Sequence, residues 1–279
     1  MPELPEVETM RRGLLPIVGQ IIKRVEYPQI PYRPIAIFPE PDELIRRAQT
    51  RKILAVDRIA KRVLIRLDSG DTIVIQPKMA GIVLLTDPPS DGHTRVVFHL
   101  QGPSRHDRFL YWDRRGLGTV SILDPRECER QLGPDRLGPD ASEIEFPTFY
   151  HRFCSCKKEV KVALLDQRLI SGVGNLYAAE ILYEARVHPR ARCHEISIGR
   201  WRNIHAATLR ILREAIEKEG STLSDGTYRN AINGEGSYQN EHQVYDREGL
   251  PCPRSSRHTI ERVVQAQRST FFCPQCQKP

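Results

Sequence analysis

Apolar residues recur at helical spacing in two parts of this chain and alternate between them. Val7, Met10 and Leu14 mark one face of an opening helix. Pro5 suits its first turn, where Glu6 and Glu8 meet the positive end of the helix dipole. From 21 to 123 the pattern is that of strands. Residues 63–67 and 72–75 flank Asp68-Ser69-Gly70-Asp71, a hairpin signal, and 82–85, 96–100, 108–112 and 119–123 continue the series. Many short strands with Gly, Pro and Asp turns predict a sandwich or barrel. Residues 28–41 carry five prolines and predict an extended loop.

The pattern changes near 125–150. Leu132-Gly133-Pro134 and Leu137-Gly138-Pro139 are breakers, as expected of a linker. Helices are predicted over 160–167, 176–185 and 201–219, with a glycine-bearing turn at 170–175 and Gly220 as the final stop. A polar, glycine-rich loop follows over 221–238, then a short β-rich tail. The chain therefore divides into a β-rich domain over 1–125, a linker over 126–150, a helical domain over 151–241 and a small C-terminal unit over 242–279. The fold class is α+β.

Charge narrows the partners. Lys and Arg number 42 against 35 Asp and Glu, a formal net charge of +7. Arg11-Arg12, Arg46-Arg47, Arg114-Arg115 and Lys157-Lys158 are local pairs that suit phosphate, although a merely basic surface looks the same. No apolar run approaches the roughly 18 residues of a membrane span, and the acidic start does not resemble a signal peptide. Cytoplasm is the expected compartment. The seven cysteines are unevenly spread and cluster late, which favours metal or free thiols over a disulfide framework.

The candidate chemistry begins at Pro2. Once Met1 is removed, Pro2 is a secondary amine. An α-amino group titrates near 7.7–8.0, against about 10.4 for lysine, so more of it is neutral and nucleophilic. Attack on an electrophilic carbon gives an iminium. Glu3 sets a carboxylate beside it, although Pro-Glu-Leu-Pro also serves as a plain helix lead-in. Lys61, at an apolar strand, either snorkels or delivers a proton near that amine. Met79, in a strand-ending turn, is either core or a wedge for a base stack. Arg114-Arg115-Gly116-Leu117-Gly118 suits phosphate or an orphaned base. Gly172-Val173-Gly174-Asn175 puts backbone amides at a helix start, a phosphate site, with Asn175 as cap or donor. Cys273-Pro274-Gln275-Cys276 is half of a zinc site.

Taken in order, these motifs resemble the formamidopyrimidine-DNA glycosylase / endonuclease VIII family. The residues that carry the likeness are Pro2-Glu3-Leu4-Pro5-Glu6-Val7-Glu8, Ala60-Lys61, Met79-Ala80-Gly81, Gly172-Val173-Gly174-Asn175, Gln243-Val244-Tyr245 and Gln267-Arg268-Ser269-Thr270. The resemblance implies an N-terminal catalytic β-sandwich with flanking helices, a helix–two-turn–helix domain and a β-hairpin finger, with DNA bound between the domains. It implies a bifunctional DNA glycosylase and abasic-site lyase of base excision repair that removes 8-oxoguanine and formamidopyrimidines, then cuts the strand by β,δ-elimination.

Residue by residue, Pro2 would attack C1′, Glu3 would act as acid/base on the sugar, Lys61 would serve β-elimination and Arg268 the phosphate and δ-elimination. Asn175 would bind phosphates, Met79 and Arg115 would fill the gap left by the flipped base, and His93 would contact DNA. Residues 221–238 would form the lesion-recognition loop. The implied partner is damaged or abasic double-stranded DNA, the implied state a monomer, and no catalytic cofactor is required.

Departures from the pattern bear on what the site would read. Where the family has Arg-Arg-Phe-Gly, this chain has Arg115-Gly116-Leu117-Gly118, so no ring is available to stack. Gln76, Lys78 and Ala80 replace the usual residues around Met79. The basic contact expected before the helix–two-turn–helix falls near Cys156, with Lys157 as substitute. Ser255 stands where a fourth zinc cysteine is expected. A zinc site of Cys252, His258, Cys273 and Cys276 is one solution; a zincless finger packed by Phe271 and Phe272 is the other. Two further readings stay open: a preference shifted to oxidised pyrimidines, and a non-catalytic damaged-DNA-binding protein.

Overall fold

The computed structural model describes residues 2–90, 92–223, 226 and 228–278. Part of the predicted recognition loop, residues 224, 225 and 227, lies outside them. The chain forms two compact units, Met1–Gly133 with Ile216–Gln239, and Pro134–Ala215 with Asn240–Pro279. The expected 151–241 domain is thus divided, because the segment after the long helix packs with the N-terminal unit.

The first unit opens with α1 (Leu4–Leu14). It continues with β1 (Ile21–Glu26), β2 (Ala36–Phe38), α2 (Pro41–Ala48), β3 (Ile53–Ile59), β4 (Arg62–Leu67), β5 (Thr72–Gln76), β6 (Gly81–Leu84), β7 (Thr94–Gln101), β8 (Arg108–Asp113), β9 (Thr119–Leu123) and α3 (Pro125–Leu132). One sheet has the order β1-β7-β8-β6 and the other β2-β9-β5-β4-β3. Only β2–β9 is parallel among these pairs. Alternation drives the packing: Val63, Ile65, Ile73 and Ile75 from one sheet meet Ile82, Leu84, Phe98 and Phe109 from the other in a single buried cluster. Val7, Met10 and Leu14 bury the apolar face of α1 in the same cluster.

Three helices were not legible in the pattern: two in this unit, and Phe146–Phe153, which begins inside the predicted linker. The proline-rich stretch leads into β2 and α2, not one long loop; α2 buries only Leu44 and Ala48, too little apolar content to show a period. The predicted linker contains α3, whose start is fixed by a capping box between Asp124 and Glu127 and whose end is set by Gly133.

The second unit contains α4 (Phe146–Phe153), α5 (Val160–Leu164), α6 (Asn175–Glu184) and most of α7 (Ile198–Glu217). Two hairpins follow, β10 (Pro251–Cys252) with β11 (Ser255–Thr259), and β12 (Glu261–Gln265) with β13 (Arg268–Phe272). Ala179 and Tyr183 of α6 form one cluster with Cys252, Ile260, Phe271 and Cys273, so the finger packs on that helix. Glu180, also on α6, is fully buried and accepts from the amides of Gln243, Val244 and Tyr245 at 2.8–3.0 Å. Burial raises its carboxyl above the ordinary range despite those three donors.

Candidate active site and nucleic-acid contacts

Pro2 is buried directly before Glu3, the N-cap of α1, and Glu3 is itself 2 % exposed. The Glu3 amide donates to Glu6 Oε2 at 2.8 Å, and Glu6 Oε1 accepts from the Ser221 amide at 2.9 Å. Glu6 therefore joins the chain terminus to the segment after α7. Gly220 makes that approach possible: its φ is +76°, and a Cβ there would come within 2.8 Å of Glu6 Oε1. Glu219, also at positive φ, shares the left-handed helix exit that the sequence placed on Gly220 alone.

Lys61 occupies the two-residue turn between β3 and β4, since Ile59 pairs with Arg62. It is not part of the strand. Ala60 precedes it at φ +54°, a conformation that normally selects glycine, so the turn is held by its surroundings. Arg58 supplies one hold. Its Nη1 donates to the Ala60 carbonyl at 3.1 Å and its Nε to Glu8 Oε2 on α1 at 3.2 Å. Arg11 and Arg12 also bond Glu8. Burial works to raise the Glu8 carboxyl, but the bonds from Arg11 and Arg12 outweigh it, and the group sits below its ordinary value. The helix that begins at Glu3 and the turn that carries Lys61 are thus connected through one carboxylate.

The predicted wedge residues sit on loops of the same unit. Met79 is 37 % exposed in the β5–β6 turn, next to Lys78 at φ +50°. It is not core. Arg115 is exposed in the β8–β9 loop, and Leu117 is half-buried. Asp113, fully buried, shapes that loop by accepting from the amides of Arg115, Leu117 and Gly118 at 2.8–2.9 Å. The Tyr111 hydroxyl fills the space that a Cβ would need at Gly81 or Gly118, so both loops close on one ring. His93 stacks on Tyr32 with centroids 4.4 Å apart. Burial, then Arg95 and Arg114, lowers its pKa.

In the second unit, Gly174 is the N-cap of α6 and Asn175 is its first residue, so Asn175 does not cap the helix. Its side chain is instead held by Lys161, a residue the sequence reading passed over. Lys161 is fully buried in α5, and its Nζ donates to Asn175 Oδ1 at 2.7 Å, the Ser269 carbonyl at 2.9 Å and Thr270 Oγ1 at 2.6 Å. Asn175 Nδ2 donates to the same carbonyl at 3.0 Å. One cation thus ties the α6 start to the finger. The available signal was a lysine inside an otherwise apolar helix, Val160–Leu164. Lys157 is exposed, and its carbonyl accepts from Arg192 at 3.1 Å. Arg268 is exposed beside the two-residue tip of the β12–β13 hairpin, where Ala266 and Gln267 both have positive φ.

Cys252, His258, Cys273 and Cys276 bring four donor atoms within 4.8 Å of one another. Tetrahedral zinc with bonds of about 2.3 Å to sulfur and 2.0 Å to nitrogen requires donor separations of about 3.8 and 3.5 Å. Cys252 Sγ and Cys276 Sγ are 3.8 Å apart, and Cys276 Sγ is 3.5 Å from His258 Nδ1. The four residues fit a structural zinc ion. Tyr183 places its hydroxyl 3.2 Å from Cys252 Sγ, an outer contact suited to a thiolate ligand. Ser255, which pairs with Cys252 across β10–β11, is outside this set. Phe271 and Phe272 are buried as expected, so apolar packing accompanies the donor cluster and does not replace it.

Sequence profiles of three domains match this chain: the formamidopyrimidine-DNA glycosylase N-terminal domain over 1–120, the formamidopyrimidine-DNA glycosylase H2TH domain over 132–227, and the zinc finger found in FPG and IleRS over 249–279. A formamidopyrimidine-DNA glycosylase from Thermus thermophilus is 40 % identical over 285 residues, covering 99 % of this chain and 98 % of its own length. The chain belongs to the formamidopyrimidine-DNA glycosylase family. A Chloroflexus aurantiacus member is 37 % identical over 284 residues, with 99 % and 98 % coverage. The crystal structure of the MutM (Fpg) protein from Thermus thermophilus superimposes with a TM-score of 0.86 at 37 % identity, covering all of both chains. Lactococcus lactis Fpg in complex with abasic-site DNA gives 0.87 at 27 % identity, covering 99 % of this chain and 100 % of that one. Among the described residues no helix is long and apolar enough to cross a membrane.

Proposed function

We propose that this family member is a bifunctional DNA glycosylase and abasic-site lyase, with Pro2 as nucleophile and oxidised purines, 8-oxoguanine and formamidopyrimidines, as substrates. The observation that carries this reading is the adjacency of Pro2 and Glu3 at the head of a buried helix whose first turn is bonded to the segment after α7. Pro2 attacks C1′ as the glycosidic bond breaks and the base leaves with a proton. Loss of the amine proton and ring opening, assisted by Glu3, leave an iminium. The iminium acidifies C2′–H, and Lys61 supports β-elimination, which breaks the bond to the 3′ phosphate. Arg268 grips phosphate for δ-elimination on the 5′ side. Chemistry at C1′ requires an extruded nucleotide, at a cost of a few kcal/mol, partly offset by Met79 and Arg115 entering the gap. His93, Lys157 and Asn175 contact the DNA backbone. Zinc, held by Cys252, His258, Cys273 and Cys276, supplies rigidity to the finger and takes no part in the reaction. We expect the protein to act on duplex DNA in the cytoplasm, as a monomer.

Leu117 favours a second reading within the class. Its loop has the backbone scaffold of a wedge but no ring to stack, which suits a preference shifted toward oxidised pyrimidines. Cleavage of duplexes carrying single lesions tests both. The processed protein should cut an 8-oxoguanine strand and leave phosphate on both ends. Glu3→Gln should slow base loss at least about a hundredfold, the usual worth of a positioned acid/base. An intact 8-oxoguanine strand beside a cut thymine glycol strand would establish the pyrimidine preference; no cleavage of any lesion would leave only a binding protein.

A further inference from the structure

Three cysteines of the second unit lie outside the zinc set: Cys154, Cys156 and Cys193. Residues 156–160 run antiparallel to 191–194. Val160 N–H donates to the Ala191 carbonyl at 2.8 Å, Cys193 N–H to Lys158 at 3.1 Å and His194 N–H to Cys156 at 3.2 Å. Glu159 and Arg192 form the bridge between them. This pairing sets the Cys156 backbone against the peptide that joins Cys193 to His194, which makes the two cysteines neighbours across the two segments. Cys193 faces Lys158 and Cys156 is offset from it along the segment, but the 3.2 Å bond from His194 N–H to the Cys156 carbonyl keeps the two cysteine backbones adjacent, as a disulfide with its Cα separation of about 4.4–6.8 Å requires. Cys193 is fully buried and Cys156 half-buried. Cys154 is directed elsewhere, 3.7 Å from the His151 carbonyl. Metal does not account for the pair: among the described residues, only the finger cluster gathers three or more ligand-type side chains.

We propose that Cys156 and Cys193 form an oxidisable dithiol, a modification site for small hydroperoxides such as hydrogen peroxide. The half-buried Cys156 reacts first. Its sulfur attacks one peroxide oxygen, the S–O bond forms as O–O breaks, and water leaves after proton transfer. The Cys193 sulfur then attacks the Cys156 sulfenic acid. The S–S bond forms, S–O breaks, and the Cys193 proton leaves with hydroxide as a second water. Two thiols and one peroxide give one disulfide and two waters. The order follows from accessibility, and burial, with Cys156 as neighbour, pushes the Cys193 thiol up to about 12, so it stays protonated until the sulfenic acid forms. The cross-link staples the segment leading into α5, and hence into Lys161, without using any residue of the proposed reaction.

Peptide mapping of the zinc-loaded protein after brief treatment with hydrogen peroxide tests this. The expected product joins Cys156 to Cys193, is about 2 Da lighter than the summed peptides and separates with dithiothreitol. In Cys156→Ser, Cys193 should be recovered as a free thiol. In Cys193→Ala, Cys156 should accumulate as a sulfenic acid captured by dimedone. Sulfinic acid at Cys156 beside free Cys193, or cross-links that use Cys154 or a zinc cysteine instead, would overturn the proposal.

Discussion

Lys161 shows how a single buried charge organises distant parts of the chain. Its ammonium has three oxygen partners, drawn from the α6 start and from β13. Replacing it with methionine keeps the volume but orphans Asn175 Oδ1. Lys161→Met should cost about 2 kcal/mol in urea denaturation and weaken binding to an abasic-analogue duplex roughly tenfold, the range for losing a buried charged donor. Unchanged affinity would separate the contact from DNA binding. Leu117 makes the opposite kind of prediction. Its loop is scaffolded by Asp113, and a ring added there gains base stacking worth about 1–3 kcal/mol. Leu117→Phe should tighten that duplex roughly fivefold in a titration; weaker binding would mean the ring has no base to meet. Pro2, Glu3 and Arg268 are candidates from sequence because their residue types stand in recognisable strings. The roles of Lys161 and Glu6 were not legible there, because each acts through partners far along the chain; nor was that of Asp113, whose local bonds to Arg115, Leu117 and Gly118 depend on a loop conformation that residue types alone do not show.

At the scale of elements, α1 and the β3–β4 turn depend on Glu8. The folded carboxyl titrates below the unfolded one, so the unfolded state binds more protons in acid. Stability from this group is complete above the ordinary value near 4.5 and is lost as pH falls through the folded pKa. Glu8→Gln should lose about 1–3 kcal/mol at pH 7 and show a flatter decline in acid, measured by denaturation from pH 7 to 3. An equally steep decline in the variant would assign the acid sensitivity elsewhere. The finger is the second element with a clear test. The purified protein should hold about one equivalent of zinc. His258→Ala should lose most of it, and His258→Cys should retain it, by metal analysis. Retention in the alanine variant would remove His258 from the ligand set. The hairpins were readable because their apolar residues alternate around polar turns. The helices α2, α3 and α4 were missed because each buries at most two residues on one face.

At the scale of the molecule, the excess of basic residues and the family's DNA complexes lead to one expectation about salt. Binding should weaken linearly in log–log form, by about 0.9 per phosphate neutralised. Arg268→Ala should reduce the slope by roughly one phosphate, whereas Glu3→Gln should leave the slope unchanged. Equal slopes in wild type and Arg268→Ala would remove the finger arginine from the phosphate contacts. The α+β class was visible in the changing period of the sequence. That residues 216–239 pack with the N-terminal unit was not, because the contacts of Glu6 with Ser221 and with Tyr228 belong to tertiary structure alone.

The central claim concerns the amine of Pro2, and borohydride trapping on an abasic duplex tests it most directly. Processed protein lacking Met1 should form a covalent adduct that peptide mapping places on Pro2, and protein that retains Met1 should form none. The absence of an adduct from processed protein, or its location on Lys61, would contradict the account.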